Sequence, residues 1–202
     1  ANGRPVILSV GQLAERKGLE PLLESCGALR ERGYEFDVHI VGQGPQRARL
    51  EETIGRLGLR DVVTLHGALP HEAVIEQYER ATLFALPCIR TADGDIDGIP
   101  NVLAEAMAME LPVVSTRLSA IPELVRDGES GLLVPPGDPV ALAGALARLL
   151  DCPSVGRELG RNGRRAVLET FDVACNVRRF AAILWPDWFP PGNAPDAVQS
   201  EE

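Results

Sequence analysis

The sequence has no excess of basic charge, no paired cysteines, no internal repeat and no apolar run long enough to cross a bilayer. Each absence closes off a class of function. Lys and Arg number 20 against 29 Asp and Glu, a formal net charge of -9. That balance excludes a general affinity for nucleic acid or for an anionic membrane surface, and leaves room for a local basic pocket. Cys26, Cys88, Cys152 and Cys175 form no Cys-x-x-Cys pair and no even spacing. They read as reduced thiols rather than a disulfide framework or a zinc site. With no signal peptide or membrane span in view, a cytoplasmic protein is the expectation. His39, His66 and His71 lack a metal-ligand spacing, and His39 falls in a strand pattern where a structural role suits it.

What is there is a mixed chain of 202 residues, 45% hydrophobic and 24% charged. That suits one α/β domain with a tail, large enough to bury a core without staples. Short apolar runs alternate with helical patterns, the signature of a parallel sheet with crossover helices. The pattern predicts strands over Val6–Val10, Asp37–Val41, Val62–Leu65, Leu83–Leu86, Val113–Ser115 and Leu132–Val134. It predicts helices over Leu19–Glu31, Gln46–Leu57, Glu72–Arg80, Pro100–Ala108 and Pro139–Leu150, then near Val155–Thr170 and Asp172–Leu184. Asp138-Pro139 is a helix start, an N-cap acid followed by proline at the first helical position. After Trp185 the chain becomes "PDWFPPGNAPDAVQSEE". Residues 1–186 therefore read as the domain and 187–202 as a disordered tail carrying Trp188 and Phe189. The opening Ala1-Asn2-Gly3-Arg4 runs straight into a strand, as in a segment cut from a longer protein.

In open parallel sheets ligands bind where strands end and helices begin, so the loops after strands matter most. The first, "VGQLAERKG", puts Arg16 and Lys17 at a helix entrance, where Lys17 can neutralise a phosphate or stand as a solvated loop residue. The second, "VGQGPQRARLEE", carries Gly42-x-Gly44 but has Arg47 where a dinucleotide fingerprint needs a third glycine. A tight turn explains the two glycines equally well. The third, "DGDIDGIPNVLAEAM", begins like a calcium loop at Asp93, Asp95 and Asp97, yet its twelfth position is Ala104 instead of a bidentate glutamate. Helix geometry gives a different reading. Pro100 pre-sets a first turn whose free N–H groups form an anion site. Asn101 and Glu105, four apart, share one face about 6 Å apart along the axis at 1.5 Å per residue. A diphosphate at that terminus would lay its ribose beside Glu105.

The same run resembles the Glu-x7-Glu segment of family 4 (group 1) glycosyltransferases, written in this sequence as Asp97-x7-Glu105. "SVGQLAERKG", "VGQGPQRARLEE", "VTLHGALPHEAV", "EAMAMELPVVST" and "IPELVRDGESGLLVPPGDPVALAGAL" are similar to further segments of that family, in the right order. The resemblance covers nearly all of Val6 to Leu184. It implies a Rossmann-like three-layer α/β domain with about six parallel strands, one half of a GT-B enzyme. The missing half would be an N-terminal acceptor domain, which would also make any peripheral contact with a membrane.

The activity it implies is retaining transfer of a hexosyl group from a UDP-, GDP- or ADP-sugar to an acceptor hydroxyl, in polysaccharide or glycolipid biosynthesis. No cofactor and no metal are implied. Lys17 would contact the diphosphate and Asp97 the sugar hydroxyls, these two being the catalytic pair. Gly98, Ile99 and Asn101 would offer backbone N–H groups to phosphate, and Glu105 would hold the ribose. Gly11 and Gln12 line the first loop, and Gly67 and Leu69 mark where the family meets the nucleobase. The sequence departs from the family at Gln12, where arginine is common, and at Glu110 and Ala120, where glycine is. A stand-alone nucleotide-sugar binding module and a nicotinamide-dependent oxidoreductase domain are the alternatives.

Overall fold

The computed structural model describes residues 3–171 together with Asn176, Val177, Phe180, Ala181 and Leu184. Six parallel strands form one sheet: β1 (Val6–Val10), β2 (Asp37–Val41), β3 (Val63–Gly67), β4 (Leu83–Leu86), β5 (Val113–Thr116) and β6 (Leu132–Val134). Their order across the sheet is β3-β2-β1-β4-β5-β6, the doubly wound Rossmann-like arrangement. The helices are α1 (Leu19–Glu31), α2 (Arg47–Arg56), α3 (His71–Arg80), α4 (Asn101–Ala108), α5 (Ile121–Leu124), α6 (Pro139–Asp151) and α7 (Pro153–Thr170).

Successive strand residues point to opposite faces, and both faces are covered. Ile7, Val38, Ile40, Ala85 and Val114 pack with Leu22, Leu29, Leu142 and Leu146 on one side. Leu8, Phe84, Leu86 and Val113 pack with Leu103, Met107 and Ile121 on the other. This is why "VILSV", "LFAL" and "VVST" lack a polar/apolar alternation and carry no charge, with only the small buried Ser9, Ser115 and Thr116 among their apolar residues. Helix α1 buries Leu19, Leu22, Leu23, Cys26 and Leu29, a stripe at helical spacing, and lies against α6. Asp138 caps α6 as its sequence promised, its carboxylate accepting from the N–H groups of Val140 at 3.0 Å and Ala141 at 2.9 Å.

Most element ends agree with the sequence reading to within a residue or two, the ordinary play of helix and strand termini. Three differences have physical causes. Strand β3 starts at Val63 and continues to Gly67, beyond the expected Leu65, because pairing with β2 resumes at Val41–Gly67 after a register shift that passes over the polar His66. It is an edge strand, where one polar side chain costs little. Pro100 is the N-cap of α4, extended at φ -64° and ψ 121°, so Asn101 and not Pro100 opens the helix. Helix α7 begins at Pro153, two residues before the expected Val155, with proline in its first turn. Helix α5 and the 3-10 turn Glu15–Lys17 are too short to show a period and were not anticipated. The helix expected over Asp172–Leu184 lies mostly, and the tail 187–202 wholly, outside the described residues.

Candidate functional site

From β1 the chain steps to β2 on one side, and later to β4 on the other, so a crevice opens between the loops that leave β1 and β4. Those two loops are fastened together. The Ile89 N–H donates to the Arg16 carbonyl at 2.9 Å. Gly18 sits in the left-handed region at φ 66°, where an added Cβ would overlap the Pro87 carbonyl. The loop after β2 is drawn in as well: the Leu13 N–H donates to Gln43 O at 3.0 Å, and a Cβ on Gly42 would strike Gly11 O. Gly42-x-Gly44 thus serves close packing of one loop on another.

The charged centre of the crevice is built from the β1 and β4 loops. Lys17, turned inward by the 3-10 turn, is only 9% exposed, and its Nζ lies 2.9 Å from Asp97 Oδ2. The solvated reading of Lys17 is therefore wrong. Arg16 Nε donates to Asp97 Oδ1 at 3.3 Å, its Nη1 to Asp95 Oδ2 at 3.1 Å, and its Nη2 to Gln12 Oε1 at 2.9 Å. Cys88 completes the shell, with Sγ 3.7 Å from Asp97 Oδ2. Burial first, and the Asp97 charge second, push that thiol up to about 12, so it stays protonated and can only donate. Asp93 turns away, accepting from the Thr91 hydroxyl, which holds its carboxyl below the usual range. Among the described residues no group of three His, Cys, Asp or Glu side chains converges as metal ligands would.

Just beyond Asp97, α4 begins. Among the described residues the N–H groups of Gly98, Ile99 and Asn101 have no acceptor, and no side chain caps the helix. Leu103, Ala106 and Met107 are buried, while Asn101 and Glu105 share the exposed face. Glu105 is held from below: the buried Tyr78 hydroxyl on α3 donates to its Oε2 at 3.0 Å. Burial, then the Glu105 charge, push the Tyr78 phenol far above its ordinary value, so it remains a donor. A carboxylate aimed from a helix face and steadied by one phenol is suited to accept a pair of hydroxyl hydrogen bonds.

The remaining expected residues lie on the rim. Gly11 N–H donates to Val41 O at 2.9 Å, and Gly42 N–H to Gly67 O at 2.8 Å, which ties Gly11 and Gly67 to the ends of β1 and β3 through β2. Leu69 packs partly against the second core layer. The His39 and His66 rings meet edge to face at 4.8 Å, and His39 Nδ1 lies 2.9 Å from Gln77 Oε1. His66 Nε2 is buried without a partner among the described residues. The structure thus gathers Gln12, Lys17 and Asp97 at one point, and sets Gly98, Ile99, Asn101 and Glu105 along the adjoining helix end. Sequence reasoning passed over Arg16 and Tyr78. A separate cavity between α7 and the 126–130 loop, lined by Arg126, Glu158, Asn162 and Arg165, shares no residue with this cluster.

Residues 1–166 match the family described as glycosyl transferases group 1. The chain is 46% identical over 178 residues to the amylovoran biosynthesis glycosyltransferase AmsK of Erwinia amylovora, a match that takes in 88% of this chain and 44% of AmsK. It spans less than half the length of that relative. Sucrose-phosphate synthase from Thermosynechococcus elongatus superposes with a TM-score of 0.79 at 30% identity, over 92% of this chain and 46% of that one. Anabaena HepE, solved in complex with UDP-glucose, also gives 0.79 at 22% identity, over 90% of this chain and 49% of its own. Among the described residues no helix is long and apolar enough to cross a membrane. A family match along the domain, a close relative and a shared six-stranded architecture agree, and the chain belongs to the group 1 glycosyltransferases, as a glycosyltransferase domain with the Rossmann-like fold of a GT-B half.

Proposed function

We propose that this chain binds the nucleotide-diphosphate sugar from which a hexosyl group is transferred, with retention of anomeric configuration, to an acceptor hydroxyl. The observation that carries the reading is the Lys17–Asp97 pair, 2.9 Å apart at the β1/β4 crevice and directly ahead of the uncapped start of α4. Bond cleavage at the anomeric carbon leaves negative charge on the departing diphosphate. Lys17 and the α4 N–H groups of Gly98, Ile99 and Asn101 are placed to stabilise it, the helix end contributing roughly half a unit charge. Asp97 orients Lys17 and presents its carboxylate to the sugar hydroxyls. Glu105, steadied by Tyr78, takes the ribose hydroxyls, and the rim at Gly67 and Leu69 meets the base, which is that of UDP, GDP or ADP. Gly11 and Gln12 line the first loop, with Gln12 exposed at its edge. The likeness to a UDP-glucose-bound HepE and to AmsK supports a sugar-nucleotide donor and a role in polysaccharide or glycolipid biosynthesis. The acceptor is held by an N-terminal domain of the same protein, working in the cytoplasm or at the inner face of the membrane, and no metal is required.

Asp97→Ala in the two-domain protein tests this. Transfer from the sugar nucleotide should fall by roughly 100-fold, the scale of a lost transition-state contact. Binding of the free nucleoside diphosphate should hold or tighten, because Lys17 is released from its partner. An equal loss of affinity for nucleotide and sugar nucleotide would remove Asp97 from the sugar.

A further inference from the structure

Arg16 has no part in that reading, yet its guanidinium has three side-chain partners in the crevice, as many as the Asp97 carboxylate. Gln12, Asp95 and Asp97 each accept one of its nitrogens, and its side chain is 27% exposed. Fastening the two loops does not need this charge, since the Ile89 N–H to Arg16 carbonyl bond and the Gly18–Pro87 contact already do it through the backbone. The local charges balance in pairs, Arg16 and Lys17 against Asp95 and Asp97. A diphosphate upsets that balance by bringing about two negative charges, more than one lysine and a helix end of about half a unit charge neutralise. The partner most easily given up is Asp95, exposed by 52%, because exposed ion pairs are weak. A planar fork freed from it is shaped to take two phosphate oxygens at once.

We propose that Arg16 is a second diphosphate-binding cation, held on Asp95 and Asp97 while the crevice is empty and passed to the phosphates when the donor enters. Gln12 is its positioning residue, the amide oxygen aligning the guanidinium. The assignment rests on the proposed donor site, and it accounts for a neutral glutamine at position 12: the cation is supplied from one turn further along the loop.

The experiment is calorimetric titration of the 202-residue chain with UDP, GDP and ADP, and with the monophosphate of whichever binds tightest. Arg16→Gln should weaken the diphosphate about 10-fold and the monophosphate by less than about 2-fold, with an unchanged thermal midpoint. Adding Gln12→Arg to Arg16→Gln returns a guanidinium to the place the Arg16 head group occupies, and should restore most of the lost affinity. If Arg16→Gln leaves the diphosphate-to-monophosphate ratio unchanged while Lys17→Ala collapses it, the donor site stands and Arg16 is only a clip between loops. If no diphosphate binds wild type, or neither variant alters the ratio, the donor site falls and this assignment with it. Should Arg16→Gln fail to fold, Arg16→Lys carries the test, since it keeps the charge and loses the fork: a lower ratio supports the assignment and an unaltered one overturns it.

Discussion

Glu105 and Tyr78 show how one hydrogen bond steadies a carboxylate on an open helix face. The phenol at 3.0 Å fixes the carboxylate on the open face of α4, where a ribose beside the helix terminus would lie. Glu105→Gln should weaken nucleoside diphosphate binding by about 1–3 kcal/mol, the scale of a charge-assisted hydrogen bond. It should also abolish the preference for ribose over 2′,3′-dideoxyribose; a variant that still discriminates as wild type does would place the ribose elsewhere. Tyr78→Phe should cost a smaller amount, about 1 kcal/mol, with ribose ligands and nothing with dideoxy ones. An equal loss with both would mean the phenol serves α3–α4 packing, through its 3.4 Å contact with Val102 O, and not the carboxylate. Glu105 was legible in the sequence because its spacing from Asn101 puts both on one helical face. Tyr78 was not, because its partner is 27 residues away and no local pattern joins them. Arg16 stood next to Lys17 in plain view, but two adjacent cations give no sign of which turns inward until a 3-10 turn sets their directions.

At the level of elements, α4 and the β2–β3 edge matter most. Every strand was legible from its apolar run, except that β3 stretches to Gly67 under backbone pairing that side-chain patterning does not record. That extension brings His66 against His39. Burial first, and the neighbouring His39 second, hold His66 below its ordinary value of 6.5, so the folded form keeps it neutral while the unfolded chain takes up a proton. Its contribution to stability is therefore present above about pH 6.5 and is lost as the pH falls through that region. Thermal midpoints at about pH 7.5 and 5.5 should show a fall for wild type and a smaller one for His66→Gln. Identical falls in the two proteins would show that other groups carry the pH dependence.

Over the whole molecule, alternating strands and helices announced a parallel sheet with crossover helices, but the strand order that makes the β1/β4 crevice is a matter of long-range pairing. Periodicity is blind to it, and the family resemblance implied only a Rossmann-like sheet of about six parallel strands; the order itself comes from the structure. The same geometry shows how a chain with a net charge of -9 could accommodate the proposed diphosphate. Most of the acids lie elsewhere along the sequence, while at the point where the sheet order reverses Lys17 and Arg16 meet Asp95 and Asp97 in balanced pairs beside the α4 terminus. Asp93, Asp95 and Asp97 are engaged by Thr91, Arg16 and Lys17, so their carboxylates answer to protein cations and a hydroxyl. Calorimetric titration of UDP, GDP and ADP in excess EDTA, for wild type and Lys17→Ala side by side, tests this most directly. At least one diphosphate should bind wild type, Mg²⁺ or Mn²⁺ in place of EDTA should not tighten it, and Lys17→Ala should weaken it about 10-fold or more. Binding that is absent in EDTA and restored by a divalent ion, or that is indifferent to the loss of Lys17, would contradict a donor site built from a lysine and a helix end.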